Sequence, residues 1–257
     1  MAEALVSGLL SEDTLDPDEI IVSDIDDQRL EALSRSFGVE TTTDNRRAAE
    51  LGKYILLAVK PQNIDQAVKS LGAPLTGDKA IISIAAGITT SRIRDLLGQD
   101  LPIVRVMPNT PALVNAGVSA VALPEGMDKE KKEFIQKLMS AAGEVVYVVE
   151  DDIDAVTALS GSGPAYFLQF VLELKKAGVA AGLSEDTAAV LARQTFIGSA
   201  ALLEQTGKTE GELIKAVASP GGTTEAALSA FSEMGLSDIV RKAVAAGLAR
   251  AKALAKR

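Results

Sequence analysis

The chain contains no histidine, no cysteine and no tryptophan among its 257 residues. Without cysteine there is no disulfide framework, no thiol nucleophile and no thiolate metal site; the redox compartment stays open, although a cytoplasmic location fits. Without histidine there is no Ser-His-Asp triad, no imidazole metal ligand and no imidazole acid for a carbonyl. Any chemistry must run on lysine, carboxylates, hydroxyls, backbone amides or a borrowed cofactor. Positive charge is also short, with 26 Lys and Arg against 35 Asp and Glu and a net charge of −9. That balance argues against non-specific binding to nucleic acid or to an anionic membrane. No apolar run approaches the ~18 residues that would span a bilayer. The opening MAEALVSGLL is apolar, but it carries Glu3 and no basic residue, which argues against a signal peptide.

What is present suffices for a sizeable core, since 47% of residues are hydrophobic. Against a prior of roughly 150 residues per domain, the length suits one large or two modest domains. In the first half, short β-branched runs at 19–23, 54–59, 80–85, 103–107, 118–123 and 145–149 alternate with helical patterns at 26–37, 62–71, 91–97 and 127–142. Uninterrupted apolar strands between helices predict a parallel, doubly wound α/β sheet buried on both faces. Beyond about residue 150 the β-branched runs stop. Segments 151–159, 164–181, 184–205, 210–218, 223–233 and 237–256 read as helices, with Pro164 well placed in the first turn of the second. Two domains follow: 1–150, α/β, and 151–257, all-helical, with an apolar surface suited to a second subunit.

Five places could carry chemistry. Ser23-Asp24 closes the strand at 19–23, where an acid bonds a ribose 2′-hydroxyl and repels a 2′-phosphate; the alternative is a helix N-cap for 26–37. Ala58-Val59-Lys60-Pro61 closes the most apolar strand, so Lys60 either meets a ligand phosphate or ribose, or is an exposed loop lysine. Ala85-Ala86-Gly87 and Met107-Pro108-Asn109-Thr110-Pro111 close two more strands at the same sheet edge, and the prolines stiffen the latter. Finally, Ser219-Pro220-Gly221-Gly222-Thr223-Thr224 joins two helical patterns, as either an amide nest for a carboxylate or a structural turn. Gly161-Ser162-Gly163 before Pro164 has close helix packing as its default explanation.

Read in order, AVKP (58–61), IAAG (84–87), MPNTPALVNAG (107–117), DAVTALSGSGPAY (154–166) and SPGGTTEAAL (219–228), behind a first helix MAEALVSGLL, resemble the pyrroline-5-carboxylate reductases over essentially the whole chain. The resemblance implies a Rossmann domain joined to a helical dimerisation domain in a homodimer or higher homo-oligomer. It implies reduction of a cyclic imine to L-proline with NADP or NAD as cofactor and no metal. By the same resemblance Ser23, Asn45, Ala58, Val59, Lys60, Pro61, Ala85, Ala86 and Gly87 would contact the cofactor. Glu150, Ser219, Gly221, Gly222, Thr223 and Thr224 would hold the substrate, with Thr224 beside the imine nitrogen as the catalytic hydroxyl. Two departures are expected to matter. The family opens with a strand and G-x-G-N-M, whereas this chain starts at the Met of that motif, about ten residues later. Ile214-Lys215-Ala216 stands where relatives often carry Lys-Asp and a polar residue. The alternatives are a related imine or β-hydroxyacid reductase, for which Lys175 and Lys176 are the available lysines, and a non-catalytic oligomeric binding protein.

Overall fold

The computed structural model describes residues 1–72, 74–75 and 78–255. The chain forms two compact units, one of Met1–Ser162 together with the chain from Gly247 onward, the other of Gly163–Ala246.

The first unit alternates helices and strands: α1 (Ala2–Ser11), β1 (Ile21–Ser23), α2 (Asp27–Phe37), β2 (Glu40–Thr42), α3 (Asn45–Leu51), β3 (Tyr54–Leu57), α4 (Ile64–Ser70), β4 (Ala80–Ser83), α5 (Thr90–Leu97), β5 (Ile103–Met107), β6 (Gly117–Ala122), α6 (Lys129–Ser140), β7 (Gly143–Tyr147) and α7 (Ile153–Val156). Helix starts are set by short polar side chains that accept orphan first-turn amides. Asp26 accepts from Gln28 and Arg29 in α2, Asp44 from Arg46 and Arg47 in α3, Thr89 from Arg92 in α5 and Asp128 from Lys131 in α6.

Among the described residues the strands form two sheets, a parallel pair β1-β2 and a five-stranded sheet ordered β3-β4-β5-β6-β7. The sheet is not parallel throughout, because β6 runs antiparallel to β5. The link from Met107 to Gly117 is too short for a parallel crossover, which needs roughly a dozen residues. Neighbouring residues of β4 serve opposite faces. Ile82 packs with Leu5, Leu9, Val104, Ile135 and Met139, while Ile81 packs with Ile55, Ile64, Ile93 and Ile103. Both are 0% exposed, as a strand covered by helices on each side requires.

Continuing from α7, residues Thr157–Gly161 form a π-helical turn, and the chain then enters the second unit. Here follow α8 (Gly163–Ala180), α9 (Glu185–Thr206), α10 (Glu210–Val217) and α11 (Thr223–Glu233); α12 (Leu236–Ala255) begins in this unit and ends in the first. Helices α8 and α9 approach closely: a Cβ on Gly178 would stand 3.1 Å from that of Ala188. Ring pairs Phe167–Phe196 and Phe170–Phe231 add aromatic contact. Even so, only Gly163, Ala188 and Ala192 of this unit are buried, while Phe167 is 61%, Leu168 65% and Met234 77% exposed. A helical unit with such faces has not completed its core.

Candidate active site

In an open α/β sheet, ligands settle beyond the carboxyl ends of the parallel strands. At the end of β1 the Ser23 hydroxyl donates to Asn45 Oδ1 at 2.7 Å, and Asn45 Nδ2 donates to Ser70 Oγ at 2.8 Å. This chain of polar groups ties the first turn of α3 to β1 and joins two of the residues implied by the resemblance. Asp24 is not the cap of α2, a role that belongs to Asp26. Its carboxylate instead accepts from the Asp26 amide at 3.2 Å and lies 3.7 Å from Arg29 Nε.

Ala58, Val59 and Lys60 follow β3 directly, with Lys60 exposed, and Pro61 starts a 3-10 turn that leads into α4. After β4, Ala85 and Gly87 are buried and Ala86 is half-buried. Gly87 has φ +75°, the left-handed region where a side chain is strained, and a Cβ there would stand 3.3 Å from Leu254 Cβ. The end of α12 packs against Gly87, and Ala86 is the more accessible residue of this turn. Beyond β5, Asn109 accepts from the Val118 amide at 3.0 Å and donates to Ser160 Oγ at 3.3 Å, which fixes the Pro-flanked loop.

The loop 219–224 lies in the second unit, ahead of α11. Gly221 has φ +71°, and a Cβ on Gly222 would fall 2.6 Å from Ser219 Oγ, so both glycines are dictated by the turn. No side chain caps α11, whose first residues are Thr223 and Thr224. The expected nest is partly used within the chain: Gly221 N–H donates to the Glu225 carboxylate at 2.7 Å, and Gly222 N–H donates to the Ser219 carbonyl at 3.0 Å. The loop therefore already binds a carboxylate, its own.

Glu150 has a different environment from the rest of the expected substrate set. Both of its carboxylate oxygens are engaged inside the first unit: Oε1 accepts from Thr90 N–H at 2.8 Å and from Arg105 at 3.4 Å, Oε2 from Thr90 Oγ1 at 2.5 Å. Arg105, 4% exposed, also reaches Asp154 at 3.5 Å. Sequence reasoning missed this cluster, although an arginine inside the apolar strand IVRVM was a visible signal, because a buried guanidinium must find carboxylates. Lys175 and Lys176, the lysines considered for a hydroxyacid reductase, are paired with Glu185 and Glu173. Among the described residues no cluster of His, Cys, Asp or Glu could hold a metal, and no helix is long and apolar enough to cross a membrane.

A doubly wound sheet with small-residue turns at its carboxyl edge, followed by a helical region, defines the class of two-domain nicotinamide-dependent reductases. The family models agree: residues 1–87 match "NADP oxidoreductase coenzyme F420-dependent" and residues 150–254 match "Pyrroline-5-carboxylate reductase dimerisation". The pyrroline-5-carboxylate reductase of Corynebacterium melassecola is 39% identical over 259 aligned positions, covering 100% of this chain and 96% of that protein. That of Synechocystis is 38% identical with the same coverage. Among solved structures, the pyrroline-5-carboxylate reductase of Coxiella burnetii superposes with a TM-score of 0.94 at 38% identity, covering 100% of this chain and 95% of that one. A Plasmodium falciparum pyrroline carboxylate reductase with NADP bound gives 0.84 at 26% identity, covering 98% and 93%. The chain belongs to the pyrroline-5-carboxylate reductase family.

Proposed function

We propose that this protein reduces 1-pyrroline-5-carboxylate to L-proline with NADPH or NADH, working in the cytoplasm as a homo-oligomer built by its helical unit. The observation that carries the substrate reading is the loop 219–224, an uncapped helix start that already accepts a carboxylate at the Gly221 amide.

The residues at the carboxyl edge fit a dinucleotide. Ser23 and Asp24 would meet a ribose, with Asn45 orienting Ser23, while Lys60 is exposed at the end of β3 for a phosphate. The Ala85-Ala86-Gly87 turn would meet the remainder through its half-buried residue, Ala86. When bound, the reduced nicotinamide supplies a hydride, two electrons and one hydrogen, to the C5 carbon of the ring.

The chain's own task is positioning. A protonated ring imine is electrophilic already, so no protein acid of imidazole type is required, in keeping with a chain that has no histidine. The substrate carboxylate would displace Glu225 and be held by Gly221 and by the α11 amides at Thr223 and Thr224, charge-assisted bonds stronger than neutral ones. The Thr224 hydroxyl would orient the ring nitrogen, and Ser219 and Gly222 would keep the loop in register. Removal of a preorganised donor at a reacting centre lowers turnover by about 10²-fold. Thr224→Ala is therefore expected to lower kcat by about that factor at unchanged Tm; steady-state kinetics at wild-type values would refute the assignment.

A further inference from the structure

We infer that Glu150 is a positioning residue for the cofactor turn, clamping the start of α5 to β5, and is not a ligand of the imine substrate. This rests on the reductase reading above and assigns a site within it. The turn Ala85-Ala86-Gly87 runs into α5 within a few residues, and its local ties are two long hydrogen bonds, the Ala85 amide donating to Ser83 Oγ and the Ile88 amide donating to the Ala85 carbonyl, each at 3.3 Å. The start of α5 is capped locally by Thr89 and is also held from outside. Helix α5 has no acidic residue in its first turn, yet a negative charge is favoured there by the exposed amides and the helix dipole. Glu150, sixty residues further along the chain, supplies it by gripping Thr90 through both amide and hydroxyl. Its other anchor is Arg105, whose strand neighbour in the sheet is Ser83, the last residue of β4 before the turn.

The clamp thus fixes both flanks of the turn, β4 through β5 on one side and α5 on the other. Arg105 is nine-tenths buried and has a further nitrogen, Nε, with no partner among the described residues. It depends on Glu150 and Asp154 for its neutralisation, at 3.4 and 3.5 Å. Both oxygens of this carboxylate are oriented by the helix start and the buried guanidinium, and withdrawing it toward a substrate would leave the guanidinium half-compensated.

The test uses the full-length protein with Glu150→Gln, Thr90→Val and Thr90→Ser. Calorimetry measures NADH and NADPH binding without substrate, and steady-state kinetics gives the KM for 1-pyrroline-5-carboxylate. The clamp predicts a Kd for both nucleotides raised by roughly tenfold in Glu150→Gln, ~1.4 kcal/mol, with the substrate KM inside about twofold. Thr90→Val should move the same way by less, and Thr90→Ser, which keeps the hydroxyl, should bind like the wild type. If Glu150→Gln does not fold, the two Thr90 variants decide alone. A raised substrate KM with unchanged nucleotide Kd would make Glu150 a substrate ligand, and no change in either would remove its positioning role; each overturns the inference. Absence of nucleotide binding in the wild type would instead overturn the reductase reading itself, a failure seen before any variant is made.

Discussion

In the α/β unit, adjacent isoleucines of β4 are fully buried on opposite faces of one sheet, and the helices around them keep their polar sides outward. In the helical unit, α8 and α9 pack through glycine and alanine, and large side chains such as Phe167, Leu168 and Met234 stay exposed. Each such side chain would contribute about 1.5–3 kcal/mol if covered. The first unit holds itself together with its own apolar residues; the second has a stability that depends on what covers it. The same division runs through function, since the turns proposed for the nucleotide follow strands of the two sheets of the first unit and the proposed substrate loop sits among the incompletely covered helices of the second.

That contrast can be broken most forcefully by charge. Leu168→Glu and Ile239→Glu, on exposed apolar faces of the helical unit, should abolish the oligomer and lower Tm by more than about 10 °C, because an unpaired buried charge costs several kcal/mol. Leu51→Glu, equally exposed in the α/β unit, should leave mass and Tm unchanged; light scattering and calorimetry separate the two. The converse probe is Ile82→Ala, which opens a cavity in the sheet core. It should cost about 2–5 kcal/mol in denaturant titrations while the oligomer, read at low denaturant, persists.

Smaller in scale is cofactor choice. Asp24, freed from capping duty by Asp26, should repel a 2′-phosphate, so Asp24→Asn should raise kcat/KM for NADPH relative to NADH by about tenfold. An unchanged ratio would place the discrimination elsewhere.

The smallest effect concerns acid stability. Hydrogen bonds from Lys176 and Lys175 hold the carboxyls of Glu173 and Glu185 below their usual range, and the Thr209 amide and hydroxyl do so for Glu212. A depressed folded-state value means stabilisation that is present above the unfolded value, ~4.3 for Glu, and lost as pH falls through the folded one. Tm should fall slightly as pH drops below ~4.3, and Glu185→Gln should lose part of that slope.

Much of this was legible in the residues. Thr223–Glu233 is helical over the span its pattern indicates, and most strands of the first unit coincide with β-branched runs. Strand β2 and helix α3 escaped, because Glu-Thr-Thr is too short and polar to stand out and Asn-Arg-Arg-Ala-Ala-Glu-Leu carries little apolar periodicity. The antiparallel β6 follows from a link length that a strand-and-helix count does not weigh. At the site, single loops could be read as strand ends and a glycine turn. Pairings across distance could not: Glu150 with Thr90 and Arg105, or Ser23 with Asn45, depend on how the fold closes. Glu225 on the Gly221 amide is local, but it needs the turn's geometry to be seen.

The central claim is that the chain is a working reductase of a cyclic imine, and it is tested most directly by mixing the purified oligomer with 1-pyrroline-5-carboxylate and NADPH or NADH. Nucleotide oxidation is followed by absorbance and L-proline by chromatography. The account predicts substrate-dependent oxidation with one L-proline formed per nucleotide consumed; binding of both ligands with no L-proline formed would contradict it.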